Sequence, residues 1–565
     1  MDVKEIEAIK AKQAEWESKY QEAFQEERKK EFCTDDGIPV KRIYTPADME
    51  ENSFDYLNDL GFSGEYPYTR GIESSMYRHR VYFIGQYMGH SSPEETNKLY
   101  KDILARGQEE LHVAFDVASI AGYDSDDPRV KHDVGKCGLA VDSLQDMEIL
   151  YDGIDLGKVY SLYVFIPLAI IILAMHLAVA EKQGVPLEKI QVCPQNDIMK
   201  TYSVSDNPVF PPDAGMRLAT DVFTYIARNL PHPHSLAFNI CLYHHSEAGA
   251  NRIQQVANVL ASAITYSRAA LERGLDIDTI APKIAFLGLV YHREFLVEIA
   301  KLRAARRLYA KIMREEFGAE NPDSLTMKIH EVHGGIHMTR EPLELNQARA
   351  AISTLAAALA GVQSIGGATY DEPLGIPSAR ASRIGILTRY LVAHECGVMD
   401  TVDPLAGSYY IEYMTSEIEK RATEEIKRIE DIGGMLEAVK KGYIQAQIAE
   451  NAFKEQKRIE NRDRIAIGLN MFAEKEEEER RDYYKPNPKV LASQTAKLKK
   501  LRAERDNEKV QVTLSKLREF AKRPESEENN LVPHVVDAVK AYATVGEIAG
   551  VLREVFGEYR SPVNF

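Results

Sequence analysis

The residues best suited to chemistry in this chain follow one apolar run. Residues 236–243, LAFNICLY, are apolar except for one Asn and are few enough for a buried strand. The run ends in the polar stretch HHSE at residues 244–247, and a helical pattern begins after Gly249. Such an arrangement places titratable side chains at the carboxyl edge of a parallel sheet, where (β/α) barrels carry their active sites. The alternative is a buried strand followed by a polar turn, and this segment alone does not decide between the two.

Three histidines, His330, His333 and His337, have a spacing that resembles a set of metal ligands. The glycine pair at 334–335 interrupts any helix that would place them on one face. We therefore interpret the stretch as the end of a strand and its loop, with a metal site as the weaker alternative. The acidic stretch 122–130, GYDSDDPRV, is a candidate for cation binding, but a capped loop is favoured. The chain has no P-loop, GxSxG or HExxH signature, and no GxGxxG after a strand.

Length and composition limit the classes of protein. The chain has 565 residues, of which 44% are hydrophobic and 28% charged, and its net charge is −16. These values predict a globular protein of two or three domains, or one barrel with long extensions. They argue against nucleic acid and anionic membranes as partners. The five cysteines are dispersed without ligand spacing, which indicates reduced thiols in the cytoplasm.

One uncharged segment, residues 159–180, is long enough to span a bilayer. Pro167 divides this segment, because proline fits the first turn of a helix. We therefore predict a strand over 159–166 and a core helix of about four turns, rather than a transmembrane helix. The charged helical pattern at the N-terminus also differs from a signal peptide.

Eight short apolar runs, each followed by a helical pattern, are distributed along the middle of the chain. They are residues 111–117, 137–141, 159–166, 190–193, 236–243, 284–290, 325–329 and 361–365. This alternation predicts an α/β protein with a (β/α)8 TIM barrel. We place the barrel at 61–410, after an N-terminal helical arm at 1–60 that contacts another subunit, and before a helical C-terminal extension at 411–565. Helical patterns in that extension cover residues 416–441, 473–482, 493–524 and 531–556.

Several stretches, in order along the chain, resemble a known family. They are YPYTRG (66–71), AFDVASIAGYDSDDPRVKHDVGK (114–136), QNDIMK (195–200), YHHSEAGA (243–250), EIAKLRAAR (298–306), AALAGVQS (357–364) and DPLAGSYYIE (403–412). The resemblance is to the catalytic large chain of adenosylcobalamin-dependent acyl-CoA mutases, the methylmalonyl-CoA mutase family. LRAERDNEKV (501–510) and GEYR (557–560) resemble its separately encoded large subunits, as in isobutyryl- and 2-hydroxyisobutyryl-CoA mutases.

The resemblance implies a barrel threaded by the pantetheine arm of an acyl-CoA, with adenosylcobalamin over its carboxyl-end face. It also implies a radical 1,2-rearrangement, whose intermediates the barrel interior would shield from solvent. The family's cobalamin-binding domain carries a DxHxxG motif, which this sequence lacks. A small cobalamin-binding subunit is therefore the expected partner and the expected source of the cobalt ligand, in a hetero-oligomer of two large and two small chains. A G-protein chaperone is a further candidate partner.

The resemblance assigns three groups of side chains. At the reacting atoms it implies His244, as the hydrogen-bond partner of the acyl carbonyl, with Tyr87 and Gln195. Cofactor contacts are expected from Tyr243, Glu247, Glu372, Ala114 and Phe115. Substrate contacts are expected from Arg80, Ser205, His330, Lys283 and Gln363. No metal ligand is expected in this chain.

Several positions depart from the family pattern and bear on the substrate. Ser205 stands where the family has the arginine that pairs with the free carboxylate of methylmalonyl-CoA, and a hydroxyl cannot form that bidentate pair. Ala114 replaces the aspartate of the hydroxyisobutyryl enzymes, which argues against that substrate too. The positions that contact the CoA arm or the adenosyl group have also changed, to Phe83, Gly85, Leu162, Val164, Lys283, Ala285, Val332, Gly366, Gly367 and Ala368.

These departures predict a mutase for a neutral, branched or bulky acyl-CoA. Two alternatives stay open at this point. The first is the same rearrangement on a substrate that is not carried on CoA. The second is an inactive paralogue that serves as a binding partner.

Overall fold

The computed structural model describes residues 3–25, 27, 29, 31–105, 108, 110–205, 209–473 and 484–559. Within these ranges, no helix is both long and apolar enough to cross a membrane. The uncharged segment 159–180 forms a strand, Tyr160–Val164, and a helix, Ala169–Lys182, whose first twelve residues are buried. The predicted strand and core helix are therefore confirmed.

The N-terminal region contains three α-helices in its described part. Its helices are α1 (Val3–Lys19), α2 (Gln21–Gln25) and α3 (Pro46–Glu51). Between α2 and α3 the chain turns at residues 35–38, and Asp36 accepts a hydrogen bond from Arg252 Nη1 at 2.7 Å. Both side chains are almost fully buried, so this pair fixes the turn against the middle of the chain.

Nine short strands form two parallel ladders in the described part of the chain. They are β1 (Phe83–Ile84), β2 (Tyr87–Met88), β3 (Glu110–Ala114), β4 (Tyr160–Val164), β5 (Val192–Cys193), β6 (Phe238–Cys241), β7 (Ile284–Gly288), β8 (Lys328–His333) and β9 (Ser364–Gly367). One ladder has the order β2-β3-β4-β5 and the other β1-β9-β8-β7-β6.

The two ladders together have the strand order of an eight-stranded barrel. Segment 83–88 belongs to both, because β1 pairs with β9 and β2 pairs with β3. At the other junction a single backbone hydrogen bond, from Leu236 N to Val192 O at 2.9 Å, spans the gap between β5 and the approach to β6. The structure is therefore the predicted α/β class with barrel order, although the ladders of the described residues are interrupted at these two junctions.

One predicted strand was wrong, and the first strand of the barrel was not predicted. Residues 137–141 make only an isolated bridge, in which Leu139 N–H donates to the Ala114 carbonyl at the end of β3. The strand in its place is segment 83–88, which Gly85 and Gln86 split into two pairs of residues. Two-residue runs are shorter than the four to eight residues by which a buried strand is recognised. Two other predicted strands are displaced toward the C-terminus by about three residues, to β8 and β9.

Helices connect the successive strands and form most of the described chain after β9. After the strands come α4 (Pro93–Ala105), α5 (Val117–Ile120), α6 (Leu144–Leu150), α7 (Ala169–Lys182), α8 (Ile198–Val204), α9 (Pro212–Asn229), α10 (Leu242–Glu247), α11 (Arg252–Glu272), α12 (Ile277–Ile280), α13 (Phe295–Glu315), α14 (Leu345–Leu359) and α15 (Ala379–Glu395). Then follow α16 (Tyr409–Ile432), α17 (Met435–Lys440), α18 (Tyr443–Glu460), α19 (Val490–Glu504), α20 (Asn507–Lys522), α21 (Val532–Lys540) and α22 (Val545–Phe556). The predicted helix at 473–482 lies, apart from its first residue, outside the described residues.

The acidic stretch 122–130 binds the C-terminal helices. The Asp124 carboxylate accepts hydrogen bonds from Arg502 of α19, from the Thr544 hydroxyl and from the Gly546 N–H, each at 2.7 Å. Thr544 is the N-cap of α22, so the carboxylate lies at the positive end of that helix. The stretch is therefore a loop that contacts the C-terminal helices, which the sequence did not predict.

Candidate active site

The inward-facing side chains of β3 line the barrel axis. Because side chains alternate along a strand, Glu110, His112 and Ala114 face the axis while the two intervening residues pack in the hydrophobic core. His112 contacts rings from two other strands. Its ring centroid is 5.3 Å from that of Tyr87 and 4.8 Å from that of His330. These rings occupy the middle of the axis and separate its carboxyl end from its amino end.

An apolar floor lies at the carboxyl end of the strands. It consists of Cys241 of β6, Leu287 of β7 and Val332 of β8, which form one buried cluster. The rings of Tyr87 and Tyr243 pack against this floor, so the structure brings these two predicted residues to one site. The Tyr87 hydroxyl is buried and has no hydrogen-bond partner among the described residues. Burial raises its pKa well above 10, so the hydroxyl stays protonated.

His244 lies in α10, three residues after the floor residue Cys241. Its Nδ1 is 2.9 Å from the Cys241 Sγ, and its backbone N–H donates to the same sulfur at 3.3 Å. Burial, and then the nearby charges of Lys200 and His245, lower the pKa of the imidazole well below 6.5. At neutral pH His244 is therefore uncharged, and it can serve as a hydrogen-bonding group but not as an acid.

Gln195 follows β5 with a backbone φ of +53°, which non-glycine residues rarely adopt. Its side chain is 1% exposed, and neither end of its amide has a hydrogen-bond partner among the described residues. Asp197 accepts hydrogen bonds from the Cys241 N–H at 2.9 Å and the Tyr266 hydroxyl at 2.8 Å, which fixes this segment beside the end of β6. A strained, buried and unpaired amide beside the strand that leads to His244 indicates a group that binds a ligand.

Two carboxyl groups, those of Glu247 and Glu372, flank a glycine pair at the rim of the same end. A Cβ at Gly334 would collide with the Glu247 carboxylate, and one at Gly335 would lie 2.8 Å from Glu372 Cγ. The Glu247 carboxylate accepts a hydrogen bond from the Tyr291 hydroxyl at 2.8 Å, and burial raises its pKa. Burial, followed by the negative charge of Glu247, raises the pKa of Glu372 to about 7. The glycines thus let two glutamate side chains of raised pKa pack directly against the backbone at this rim.

A cavity of about 300 Å³ lies at the amino end of the strands. The predicted substrate residues Arg80, His330 and Gln363 line it. The Gln363 amide is engaged by the Ile329 N–H and the Gly361 carbonyl, at 2.8 and 3.2 Å. His330 Nε2, in contrast, is buried without a partner within the described ranges. Because its ring also belongs to the cluster in the middle of the axis, His330 connects this cavity with the carboxyl-end site.

Three predicted residues line neither the cavity nor the apolar floor. Lys283 Nζ donates to two backbone carbonyls at 2.8 and 3.0 Å, and burial lowers its pKa to about 8. The Phe115 ring packs in the core, 4.7 Å from Phe165, so its side chain does not face the axis. Ser205 ends α8, at the opposite end of this seven-residue helix from Gln195. Their roles in binding stay predictions.

The three histidines of residues 330–337 diverge. His330 faces the axis, His333 Nε2 lies 3.1 Å from the Ala368 carbonyl, and the His337 ring contacts Tyr291 with centroids 4.2 Å apart. In the ranges that the structure describes, no group of three or more His, Cys, Asp or Glu side chains is arranged to hold a metal ion. These histidines therefore do not form a common metal site.

Three axis residues were missed by sequence analysis. His112 is fully buried, and its Nε2 lies 3.1 Å from Glu110 Oε2. Its Nδ1 and the buried side-chain oxygen of Asn239 have no partner among the described residues. Cys241 contacts His244. The alternation of side chains along a strand would have identified all three. His112 lies two residues before Ala114, and Cys241 and Asn239 lie two and four residues before Tyr243.

Comparisons with known proteins identify the family of this chain. The family model described as methylmalonyl-CoA mutase matches residues 33–558. The chain is 38% identical to the 2-hydroxyisobutanoyl-CoA mutase large subunit of Aquincola tertiaricarbonis over 555 residues, which are 98% of this chain and 97% of that protein. It is also 38% identical to the methylmalonyl-CoA mutases of Cereibacter sphaeroides and of human mitochondria, over 94% of this chain and 73% and 69% of those proteins. The chain therefore belongs to the methylmalonyl-CoA mutase family, whose members are isomerases of the intramolecular transferase class.

Proposed function

We propose that this chain is the large subunit of an adenosylcobalamin-dependent mutase that rearranges the carbon skeleton of a neutral acyl-CoA. The observation that carries the proposal is the pair of sites on one barrel axis. A cavity lined mostly by apolar side chains, with polar groups from Arg80, His330 and Gln363, lies at the amino end. At the carboxyl end, hydrogen-bonding groups of Gln195 and Tyr87 that have no partner among the described residues lie beside the neutral His244. This arrangement suits a thioester whose long arm enters from one end and whose acyl group reacts at the other.

The apolar floor and Ser205 support a substrate without a free carboxylate. A carboxylate is held best by a bidentate arginine, and the floor of Cys241, Leu287 and Val332 offers it no such partner. Lys200 is the nearby cation whose charge lowers the pKa of His244 and opposes the rise in the pKa of Cys241. Burial lowers the pKa of Lys200, so its charge is already disfavoured at this position.

The residues at the rim fit the proposed cofactor. Tyr243, Glu247 and Glu372 would contact it, and the glycine pair 334–335 lets the two glutamate side chains lie close to the backbone at this rim, where their carboxyls can accept hydrogen bonds from a ribose. When bound, adenosylcobalamin supplies the radical that starts the rearrangement. The relative from Aquincola tertiaricarbonis is described as a large subunit. We therefore infer a separate cobalamin-binding subunit that provides the cobalt ligand.

The test is turnover of a panel of acyl-CoA esters by the chain reconstituted with adenosylcobalamin and a cobalamin-binding subunit from the same source. We expect isomerisation of one neutral branched ester and no comparable turnover of methylmalonyl-CoA. Efficient turnover of methylmalonyl-CoA would contradict the neutral substrate and would assign its carboxylate to Lys200. The matched control is the same mixture with His244→Ala, which distinguishes turnover by this chain from that of a contaminating mutase.

A second candidate is the same rearrangement on a substrate that is not a CoA ester. The observation that favours it is the ring cluster in the axis. His112 lies 4.8 Å from His330 and 6.2 Å from Tyr160, measured between ring centroids, so a linear arm must displace a ring to pass. Equilibrium binding of CoA decides between the candidates. Ordinary affinity for CoA would exclude the second, whereas no binding by a chain that still takes up cofactor with its partner would favour it.

The pH dependence of cofactor binding provides a separate prediction for Glu372. With a pKa of about 7, its ionised fraction rises from about a tenth at pH 6 to about nine-tenths at pH 8. A carboxylate accepts hydrogen bonds from ribose hydroxyls better than a neutral acid does. We therefore expect affinity for adenosylcobalamin in the reconstituted complex to rise up to about tenfold over this range. Glu372→Gln should bind more weakly and abolish the rise, while a pH-independent wild type would contradict the assignment.

The same shift has a consequence for the stability of the free chain. The folded state holds the Glu372 proton more tightly than the unfolded state, whose pKa is near 4.5. The stability contribution of this group is therefore complete below pH 4.5 and is lost as the pH rises through about 7. We expect the stability of wild type relative to Glu372→Gln, measured in urea, to fall from pH 6 to pH 8, where the last part of this contribution is lost.

A further inference from the structure

Cys241 and His244 form a contact that the proposed function does not use. Cys241 is fully buried in the apolar floor, and its Sγ lies 2.9 Å from His244 Nδ1. The same sulfur accepts the backbone N–H of His244 at 3.3 Å, as the side-chain cap of α10. The thiol therefore holds both the backbone and the ring of His244.

The proton on the Cys241 thiol determines which atom donates in the hydrogen bond between Cys241 Sγ and His244 Nδ1. Burial raises the pKa of Cys241 to about 12, so the sulfur carries its hydrogen at neutral pH. One side of the sulfur already accepts the backbone N–H. The rest of the floor, Leu287 and Val332, offers the S–H no acceptor. Among the described residues, His244 Nδ1 is the acceptor that the S–H reaches.

A neutral imidazole has one N–H, and the ring nitrogen that accepts cannot carry it. If Nδ1 of His244 accepts from the thiol, its hydrogen must be on Nε2. The Nε2–H is then the donor that His244 presents to a ligand. The neighbouring His245 shows the opposite pattern, because its Nδ1 lies 2.9 Å from the Cys241 carbonyl, which can only accept. His245 therefore carries its hydrogen on Nδ1.

We propose that Cys241 is a positioning residue that fixes His244 as the Nε2–H tautomer and so prepares it to donate to the substrate carbonyl. This inference rests on the proposed function for its catalytic consequence, but the tautomer itself is a property of the free chain. The sequence alone does not suggest this role for Cys241, because the contact depends on how the last residue of β6 faces the first turn of α10.

The first test measures the tautomer without substrate or cofactor. Full-length chain is labelled with ¹⁵N in the histidine rings, and the signals of His244 and His245 are assigned by their loss in His244→Gln and His245→Asn. We expect Nε2–H for His244 and Nδ1–H for His245, so the second residue serves as an internal reference. A protonated Nδ1 on His244 in the wild type would overturn the proposal.

The second test changes the thiol. Cys241→Val removes the donor at similar volume, and we expect a mixture of His244 tautomers and a fall in kcat of about five- to tenfold, with little change in KM. Cys241→Ser restores a donor and should restore both the tautomer and most of kcat. Cys193→Val is the matched control, because Cys193 is equally buried and also has a pKa raised to about 12. It should leave the His244 tautomer unchanged.

The outcomes separate this inference from the proposed function. An unchanged tautomer and kcat in Cys241→Val would overturn the role of the thiol. If Cys241→Val does not fold, the His244 tautomer of the wild type and of Cys241→Ser still tests the role of the thiol. If no ester is turned over but His244 carries Nε2–H, the positioning by Cys241 stands and only the proposed substrate fails.

Discussion

We expect His244→Ala to lower kcat of the reconstituted mutase about 100- to 1,000-fold, with a much smaller change in KM. The physical reason is that a neutral, prepositioned N–H donor at the acyl carbonyl stabilises charge that develops only during the reaction. Loss of one such donor typically costs that factor. Because the donor contacts the reacting group and not the long polar arm, ground-state binding should change little. Steady-state kinetics on the ester identified in the panel measures both constants.

Two variants make this prediction specific. His244→Gln places an amide N–H near the position of Nε2 and should recover about tenfold of the loss. His245→Asn is the matched control, because it keeps a donor to the Cys241 carbonyl and should hold kcat within about threefold of wild type. The dependence of kcat on pH should show no titration of His244 between pH 6 and 8, since the pKa of His244 lies well below 6.5. A kcat within tenfold of wild type in His244→Ala would contradict the role.

The elements that the sequence predicted correctly are those with strong local signals. The uncharged segment 159–180 contains both a strand and a helix, and each is long enough to be recognised from its own residues. The run at 236–243 likewise ends in the chemical groups that the structure places at the carboxyl end of β6. Apolar runs of suitable length, bounded by polar residues or divided by proline, predicted these elements because their burial is nearly continuous along the chain.

The elements that were missed depend on contacts between distant residues. Segment 83–88 is a strand only because β9 and β3 supply partners on its two sides. The ring cluster in the axis depends on Gly85, since a Cβ there would lie 2.7 Å from His112 Cε1. Neither fact can be read from local periodicity. The family resemblance identified His244, Tyr87 and Gln195, but it could not show that two of them have buried polar atoms without partners in the described part of the chain.

The unpaired amide of Gln195 leads to the second large effect, in which stability and activity change in opposite directions. Burying an amide without hydrogen bonds costs about 1–3 kcal/mol. Gln195→Met removes that cost at nearly the same length. We therefore expect the free chain to become more stable by about 1–2 kcal/mol in urea denaturation. We also expect kcat/KM to fall about 10- to 100-fold, because the substrate loses the hydrogen bonds for which the amide is kept.

The adjacent residue provides the control for this prediction. Asn196 is 2% exposed, nearly as buried as Gln195, but its amide donates to the Ala219 carbonyl at 2.8 Å. Asn196→Leu therefore removes a buried hydrogen bond, while the Ala219 carbonyl keeps its partner within α9, and should destabilise the chain by about 0.5–1.5 kcal/mol. Two neighbouring buried amides should thus give opposite signs on replacement, because one is paired within the protein and the other is reserved for a ligand. If Gln195→Met destabilises the chain as Asn196→Leu does, the amide of Gln195 has a structural partner and its assignment to the active site is wrong.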